Sequence, residues 1–554
     1  MSYYQQHQET LDRAILALRN RTFFAQYPEF PSPKIYGETA DEDGRNIFQK
    51  HLANKFDELL QPEPSGWIGE EESPYMQQPL NIQYPQFEID QLISRAQVAF
   101  DQWRKVSPKE RAGLLVESLE RVKDRFFELA YATMHTTGQG FMMAFQASGP
   151  HAADRALEAV SLGLEEQLRI PEKVRWEKPM GKYQINLLKE WRLVPKGISL
   201  VIGCSTFPTW NSVPGIYASL VAGNPVLVKP HPGAVLPIAL FVSEVQKVLK
   251  ESGLDPQICQ LVVDTFASPV AKTLAEHPEV KLIDFTGNSE FGSYLEGLPG
   301  KVVFTEKTGV NSVILDSVTD IDKVAQNLGF SLSLYSGQMC TAPQNIYIPK
   351  AGIKTPEGSV SLSQFAEKLS ESINGLLDNP KAGPFVTGAV QNRITSERVA
   401  DAEKMDARVL LKSRAIENPM FENARTATPV LLQVESSQKQ LYGQELFGPI
   451  ALLISTKNTD ESIELASEQA KLQGAISCGA YTTDPEVREK IADQMSLVAT
   501  PVSFNLTGGI YLNQHAGFSD FHVTGGNPAG NASFTNPEFV VKRFTVVGMR
   551  EPVG

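Results

Sequence analysis

Apolar positions along the chain change their period several times, and each change predicts a change of structure. Leu11, Ile15 and Leu18 recur at helical spacing, which predicts a helix from Glu9 to about Thr22. It breaks at the proline-rich Tyr27-Pro28-Glu29-Phe30-Pro31-Ser32-Pro33. A second helix is predicted from Gly44 to Leu60, followed by Gln61-Pro62-Glu63-Pro64-Ser65-Gly66 and the acidic Glu70-Glu71-Glu72. Residues 1–85 therefore read as an N-terminal extension. From Asp90 to Leu168, Ala, Leu, Glu, Arg and Gln dominate with helical periodicity, clearest over Ile93–Trp103 and Lys109–Met134, so several helices precede the first sheet.

The pattern then turns to short apolar and β-branched runs: Ile198–Ile202, Pro225–Val228, Gln260–Val263 and Lys281–Phe285, each followed by a stretch able to form a helix. Alternating strand and helix predicts a parallel α/β sheet. A second alternation follows Glu306, with strands expected at Ser312–Leu315, Asn345–Ile348, Pro429–Val434, Ile450–Ile454 and Ala475–Tyr481. After the Gly/Asn-rich Thr524–Asn531, the β-prone Glu538–Val547 predicts a returning strand that packs on another domain or subunit. The chain shows no internal repeat or low-complexity tract.

Composition narrows the function class. A chain of 554 residues is too long for one core and predicts two or three folded units. Apolar residues at 42% and charged residues at 21% match soluble globular domains. With 51 Lys+Arg against 64 Asp+Glu, the net charge of -13 disfavours a general attraction to nucleic acid or anionic lipid. The N-terminal residues lack a basic, then apolar, secretory pattern, and no apolar run approaches a membrane span, so a cytoplasmic location is the default expectation. The four cysteines, Cys204, Cys259, Cys340 and Cys478, lack the close pairing of zinc sites or redox dithiols, so no metal is expected. A cysteine without context is a small buried apolar residue, and only its surroundings promote it to a nucleophile.

Three segments provide such context. Phe285-Thr286-Gly287-Asn288-Ser289-Glu290-Phe291-Gly292 follows an apolar strand and opens a helical run, a setting where backbone N–H groups can approach a pyrophosphate. It is not the GxGxxG fingerprint, and two glycines five apart also suit a plain turn. In Gly337-Gln338-Met339-Cys340-Thr341 a cysteine follows a glycine at the end of the helix-like Val324–Leu334. Oxidation of a carbonyl by covalent catalysis needs such a soft nucleophile. Glu306, in Phe304-Thr305-Glu306-Lys307-Thr308-Gly309, offers the carboxylate that thioester hydrolysis needs, although a strand-ending Glu is otherwise solvated surface.

Phe285–Gly292, Glu306, Gly337–Cys340 and Gln444-Glu445-Leu446-Phe447-Gly448-Pro449 stand in an order that resembles the aldehyde dehydrogenase superfamily, as does the 34-residue separation of Glu306 from Cys340. Leu220-Val221-Ala222-Gly223-Asn224-Pro225-Val226-Leu227-Val228-Lys229-Pro230 resembles its glycine–asparagine turn and cofactor lysine. The resemblance spans Ile198–Pro449 and, more faintly, most of the chain beyond residue 90. It implies a Rossmann-like cofactor domain over 86–305, with an arm hairpin near 174–193. A catalytic domain over 306–508 and a C-terminal segment over 509–554 complete the arrangement, the arm joining subunits of a dimer or tetramer. By that likeness Cys340 forms the thioester and Glu306 activates water. Lys229 binds the adenosine ribose or its phosphate, Gly287 and Asn288 lie near the pyrophosphate, and Glu445 and Phe447 position the nicotinamide ribose and ring.

Two positions depart from the pattern. Ser205-Thr206-Phe207-Pro208 stands where the family has Trp-Asn-Phe-Pro, so Thr206 takes the place of the oxyanion-binding asparagine; Asn211 is nearby, but the spacing to Gly223-Asn224 favours Thr206. In Lys229-Pro230-His231-Pro232, Pro232 replaces the glutamate that clamps ribose hydroxyls in many NAD-using members, which leans toward NADP, with NAD as the alternative. Tyr27-Pro28-Glu29, Gly69-Glu70-Glu71-Glu72-Ser73-Pro74-Tyr75 and Gly530-Asn531-Ala532-Ser533 resemble the phenylacetate-degradation branch called PaaN, implying a semialdehyde on a coenzyme A thioester. The competing readings are a general aldehyde dehydrogenase, an acylating dehydrogenase, against which Glu306 argues, and a catalytically silent binding protein, against which Cys340, Glu306 and Glu445 together argue.

Overall fold

The apolar runs beyond residue 195 fold into two sheets. The computed structural model describes residues 2–508, 518 and 521–553; most of 509–520, within the expected C-terminal segment, lies outside the described residues. The first sheet has five strands in the order Val302–Glu306, Val280–Thr286, Ile198–Ile202, Val226–Lys229, Cys259–Leu261, all parallel. Helices cover it, and its strands are almost wholly buried, which explains their continuous apolar runs. Because every strand points the same way, the loops after Ile202, Lys229, Leu261, Thr286 and Glu306 gather at one edge.

The second sheet runs Arg408–Leu411, Val430–Glu435, Ile450–Thr456, Asn345–Pro349, Ser312–Leu315, Cys478–Tyr481, Val502–Phe504, parallel except for its first pair. Here the amino ends matter. Cys340 precedes the strand Asn345–Pro349 by five residues, and Glu445 precedes Ile450–Thr456 by the same number. A third, antiparallel sheet joins Lys173–Met180, Tyr183–Pro195 and the C-terminal Phe544–Pro552.

Three local expectations change in the folded chain. The helix expected over Gly44–Leu60 is Ala40–His51. Beyond it the backbone is drawn into long-range pairing, with Ala53 N–H donating to Leu80 O at 3.0 Å and Phe56 N–H to Gln83 O at 2.8 Å. The strand expected over Ala475–Tyr481 begins only at Cys478, because the Ile476 and Ser477 N–H groups donate to Asn311 Oδ1 at 2.9 and 3.0 Å. The strand expected over Glu538–Val547 opens as a helical turn, Glu538–Val541, and becomes extended at Phe544. Phe539 is buried there against Phe304 and Phe534, and Arg543 pairs bidentately with Asp284 at 2.6 and 2.7 Å. Removing one partner of such a buried pair costs about 3–5 kcal/mol.

The first 85 residues share a core with later helices of the chain. Helix Tyr3–Asn20 buries Leu11, Ala14 and Leu18 in the cluster that contains Leu115, Leu157 and Val160 of helices Pro108–Lys123 and Pro150–Leu168. A Cβ at Gly113 would stand 2.2 Å from the Tyr4 nitrogen, so only glycine permits this approach. Glu71 is buried, where it accepts from Val235 and Leu236 N–H at 2.6 and 2.9 Å, opening helix Leu236–Glu251.

Candidate active site

The carboxyl edge of the first sheet and the amino edge of the second meet around Cys340. The turn that presents this residue is unusual. Tyr335, Ser336 and Gly337 have φ of 51°, 48° and 60°, three successive left-handed residues after helix Ile321–Ser333. Such a turn persists only when its surroundings fix it. Tyr335 donates its hydroxyl to Thr137 O at 2.6 Å, and Ser336 donates to Ala427 O at 2.8 Å. A Cβ on Gly337 would meet Gly448 O at 2.5 Å, so glycine lets the cysteine turn rest on the Glu445–Pro449 loop. Asn311 completes the hold by donating to the Cys340 and Ala342 carbonyls at 2.8 and 3.0 Å.

Cys340 opens on a cavity of about 480 Å³ whose wall is mostly apolar, with Met142, Met143, Phe207, Trp210, Phe330 and Phe385 prominent. Gln146, His151, Asn211, Thr341 and His522 are the polar residues of that wall. Thr206 is not part of it; its carbonyl accepts from Gln139 Nε2 at 2.8 Å in the loop before helix Pro208–Val221. Asn211, in the first turn of that helix, donates its amide to Glu306 Oε2 at 2.9 Å. The opposite side of its amide is fixed by Cys204, whose Sγ lies 3.6 Å from Asn211 Oδ1. Burial pushes the Cys204 thiol up to about 12, so it remains a donor and the Asn211 oxygen remains its acceptor.

Glu306 and Cys340 hold opposite protonation states. Burial raises the Glu306 carboxyl, but His522, the Cys340 thiol and the Arg155 guanidinium together outweigh it and keep the group below the ordinary carboxylate range. Burial pushes the Cys340 thiol well up, and the neighbouring Glu306 charge adds to the shift. The resting centre is thus a thiol beside a carboxylate. His522 Nε2 lies 3.2 Å from Glu306 Oε1 and 4.0 Å from Cys340 Sγ.

The edge of the first sheet carries the other expected positions. Gly287 N–H donates to the Glu306 carbonyl at 3.1 Å, and Asn288 caps helix Ser289–Glu296 by accepting from Phe291 N–H at 2.8 Å. Lys229 is buried and pairs with Asp264 at 2.7 Å. Burial lowers the lysine, and the Asp264 charge opposes that shift. Pro232 is buried as well, and His231 Nδ1 accepts from Gly233 N–H at 3.1 Å. The region that lacks a carboxylate at position 232 therefore has one at 264. In the second sheet's loops, Glu445 faces Gly309 N–H at 3.5 Å and burial pushes it up to about 7, while the Phe447 carbonyl accepts from Arg398 at 2.6 Å.

Sequence reasoning missed Asn311, Asp264, Arg155 and His522. Asp264, the carboxylate that directly follows the expected strand Gln260–Val263, is the legible signal among these. Arg155 lies over the Trp210 ring at 3.8 Å, inside a helix whose pattern reads only as packing.

The aldehyde dehydrogenase family profile matches residues 80–536. A solved structure described as an NAD-dependent aldehyde dehydrogenase from Burkholderia multivorans is 43% identical, covers 100% of this chain and 99% of that one, and superposes with a TM-score of 0.97. Among curated proteins, 1-pyrroline-5-carboxylate dehydrogenase 2 of Bacillus subtilis (strain 168) is 26% identical over 79% of this chain and 81% of its own length. The NADP-dependent glyceraldehyde-3-phosphate dehydrogenase of Streptococcus equinus is 23% identical over 83% and 90%. Since the profile spans both parallel sheets and the thiol–carboxylate centre between them, the chain belongs to the aldehyde dehydrogenase family and is an NAD(P)-dependent enzyme.

Proposed function

We propose that this enzyme oxidises an uncharged, apolar aldehyde to its acid, with Cys340 as nucleophile, Glu306 as base and NAD as the preferred cofactor. The observation that carries the reading is the Cys340 sulfur standing within 4.8 Å of the buried Glu306 carboxylate at the end of an apolar cavity. The carboxylate accepts the thiol proton, and the sulfur adds to the aldehyde carbon. The second Asn211 N–H, beside the one given to Glu306, stabilises the oxygen that becomes negative. A bound nicotinamide would supply the hydride acceptor that lets the Cys340 adduct become a thioester. Glu306 then takes a proton from water to release the acid.

Lys229, Asp264 and Glu445 fit the cofactor: a buried charged pair at the carboxyl edge suits the adenosine ribose, and a partly buried carboxylate suits the nicotinamide ribose. The Asp264 charge beside Lys229 disfavours a 2′-phosphate at this edge, which weighs against the lean toward NADP drawn from Pro232. The NAD dependence in the description of the Burkholderia multivorans protein supports the same choice. For the substrate, the cavity wall of methionine and aromatic rings favours an apolar chain. The exposed Val546, Val547 and Met549 on the outer strand of the three-stranded sheet suit an arm that joins subunits.

A panel of free aliphatic and aromatic aldehydes and coenzyme A-linked semialdehydes, followed by absorbance of reduced cofactor, tests this reading. The free apolar aldehydes are expected to turn over best, and Cys340→Ala to abolish turnover while retaining cofactor binding. Glu306→Gln should give one slow equivalent of reduced cofactor and then stall. Turnover by Cys340→Ala would overturn the assignment.

A further inference from the structure

We propose that His522 is a third catalytic residue of the Cys340–Glu306 centre, donating to whichever of the two partners carries the negative charge. The inference rests on Cys340 being the nucleophile and adds a group that no motif announces. His522 is buried, yet it forms part of the wall of the cavity in front of Cys340. One nitrogen atom, Nε2, reaches both reacting groups, 3.2 Å from Glu306 Oε1 and 4.0 Å from Cys340 Sγ. The ligating atoms of the three side chains lie within 4.8 Å of one another.

The ring is held for this position. Trp210 meets it in a T-shaped contact, centroids 4.6 Å apart at an interplanar angle of 87°, and Phe534 stacks with centroids 5.9 Å apart at 13°. The segment that carries His522 returns to the Glu306 strand a few residues later: Lys307 N–H donates to Ala529 O at 2.6 Å, and Gly530 bridges Glu306. Among the described residues, the charged or titratable groups around the imidazole include Glu306 and Cys340, with Arg155 across the Trp210 and Phe534 rings.

Charge movement gives the imidazole its task. At rest the proton is on sulfur and the charge on Glu306. For attack, the S–H bond breaks, its electron pair stays on Sγ, and the proton forms an O–H bond on Glu306. The negative charge thereby passes from oxygen to sulfur, and the Nε2–H group that donated to the carboxylate is within reach of the thiolate. A donor that follows the charge lowers the cost of forming a buried thiolate, which is otherwise high at Cys340. When the sulfur adds to the aldehyde carbon its charge passes to the carbonyl oxygen, and Nε2–H returns to Glu306 once that group has released its proton to solvent.

Alkylation of Cys340 by iodoacetamide across pH, read by mass spectrometry of the peptide containing that residue with Cys340→Ser as control, tests the proposal. His522→Phe keeps an aromatic ring and removes the donor. It should slow alkylation near neutral pH about tenfold and move the pH midpoint up by about one unit. His522→Gln, whose amide N–H donates without titrating, should restore most of the rate. An unchanged rate in the Phe variant, or equal losses in Phe and Gln, would overturn the role. Fold is followed separately as the cofactor-induced rise in melting temperature; if the Phe variant lacks it, His522→Asn, whose shorter amide falls short of both atoms, replaces it in the comparison. Turnover by Cys340→Ser would overturn the nucleophile assignment instead, leaving the alkylation result to stand.

Discussion

Asn211 Nδ2 donates to Glu306 Oε2 at 2.9 Å, while Asn211 Oδ1 faces the Cys204 thiol at 3.6 Å. The amide is therefore oriented by one neighbour that donates and another that accepts, and its remaining N–H is available to the cavity that Asn211 lines. Spacing favours Thr206, yet its carbonyl is bonded to Gln139 outside that cavity. Asn211→Leu is expected to lower kcat by roughly 10²–10³, the effect of losing an oxyanion donor. Thr206→Val should stay close to the parent enzyme. Steady-state kinetics on both variants decide between them, and the opposite ordering would return the donor role to Thr206.

The pairing of Lys229 with Asp264 leads to a prediction on cofactor choice. Asp264→Asn removes the carboxylate while preserving its shape, so kcat/KM with NADP should rise relative to NAD by roughly tenfold, the scale of one charge-assisted contact of about 1.5–3 kcal/mol. Position 232 is a poor place for this test because Pro232 is buried and a glutamate there would bury a charge. An unchanged cofactor ratio in Asp264→Asn would place the adenosine ribose elsewhere.

Glu445 predicts a pH dependence of cofactor binding. Burial pushes its carboxyl up from 4.5 to about 7, so the folded protein holds this proton more tightly than the unfolded chain does. Its contribution to stability is present below 4.5 and is lost as pH rises toward about 7. Ribose hydroxyls donate to the ionised form, so cofactor affinity should move the other way, rising as pH passes upward through about 7. Calorimetric titration between about pH 5.5 and 8.5 should show tighter binding at the alkaline end and proton release near the acid end. Glu445→Gln should flatten the profile; a slope that survives the substitution assigns the titration to another group.

The sequence by itself determined the alternation of strand and helix, the continuous apolar strands of both parallel sheets, and the short segments holding Cys340, Glu306 and Glu445. These are local properties: buried parallel strands need unbroken apolar runs, and a thiol beside left-handed backbone needs a glycine such as Gly337 within the same few residues. Only the tertiary structure decided which groups face one another. Spacing along one helix and loop cannot tell whether Thr206 or Asn211 turns toward the cavity, and the gap at Pro232 conceals a carboxylate supplied by the next strand's loop at Asp264. The helix expected over Gly44–Leu60 stops at His51 because the backbone beyond it finds partners near residue 80, a competition that local propensity does not record. His522 is the extreme case: it meets Glu306 across 216 residues of chain, and a contact made by closing so long a loop leaves no period, motif or charge pattern in the sequence from which to read it.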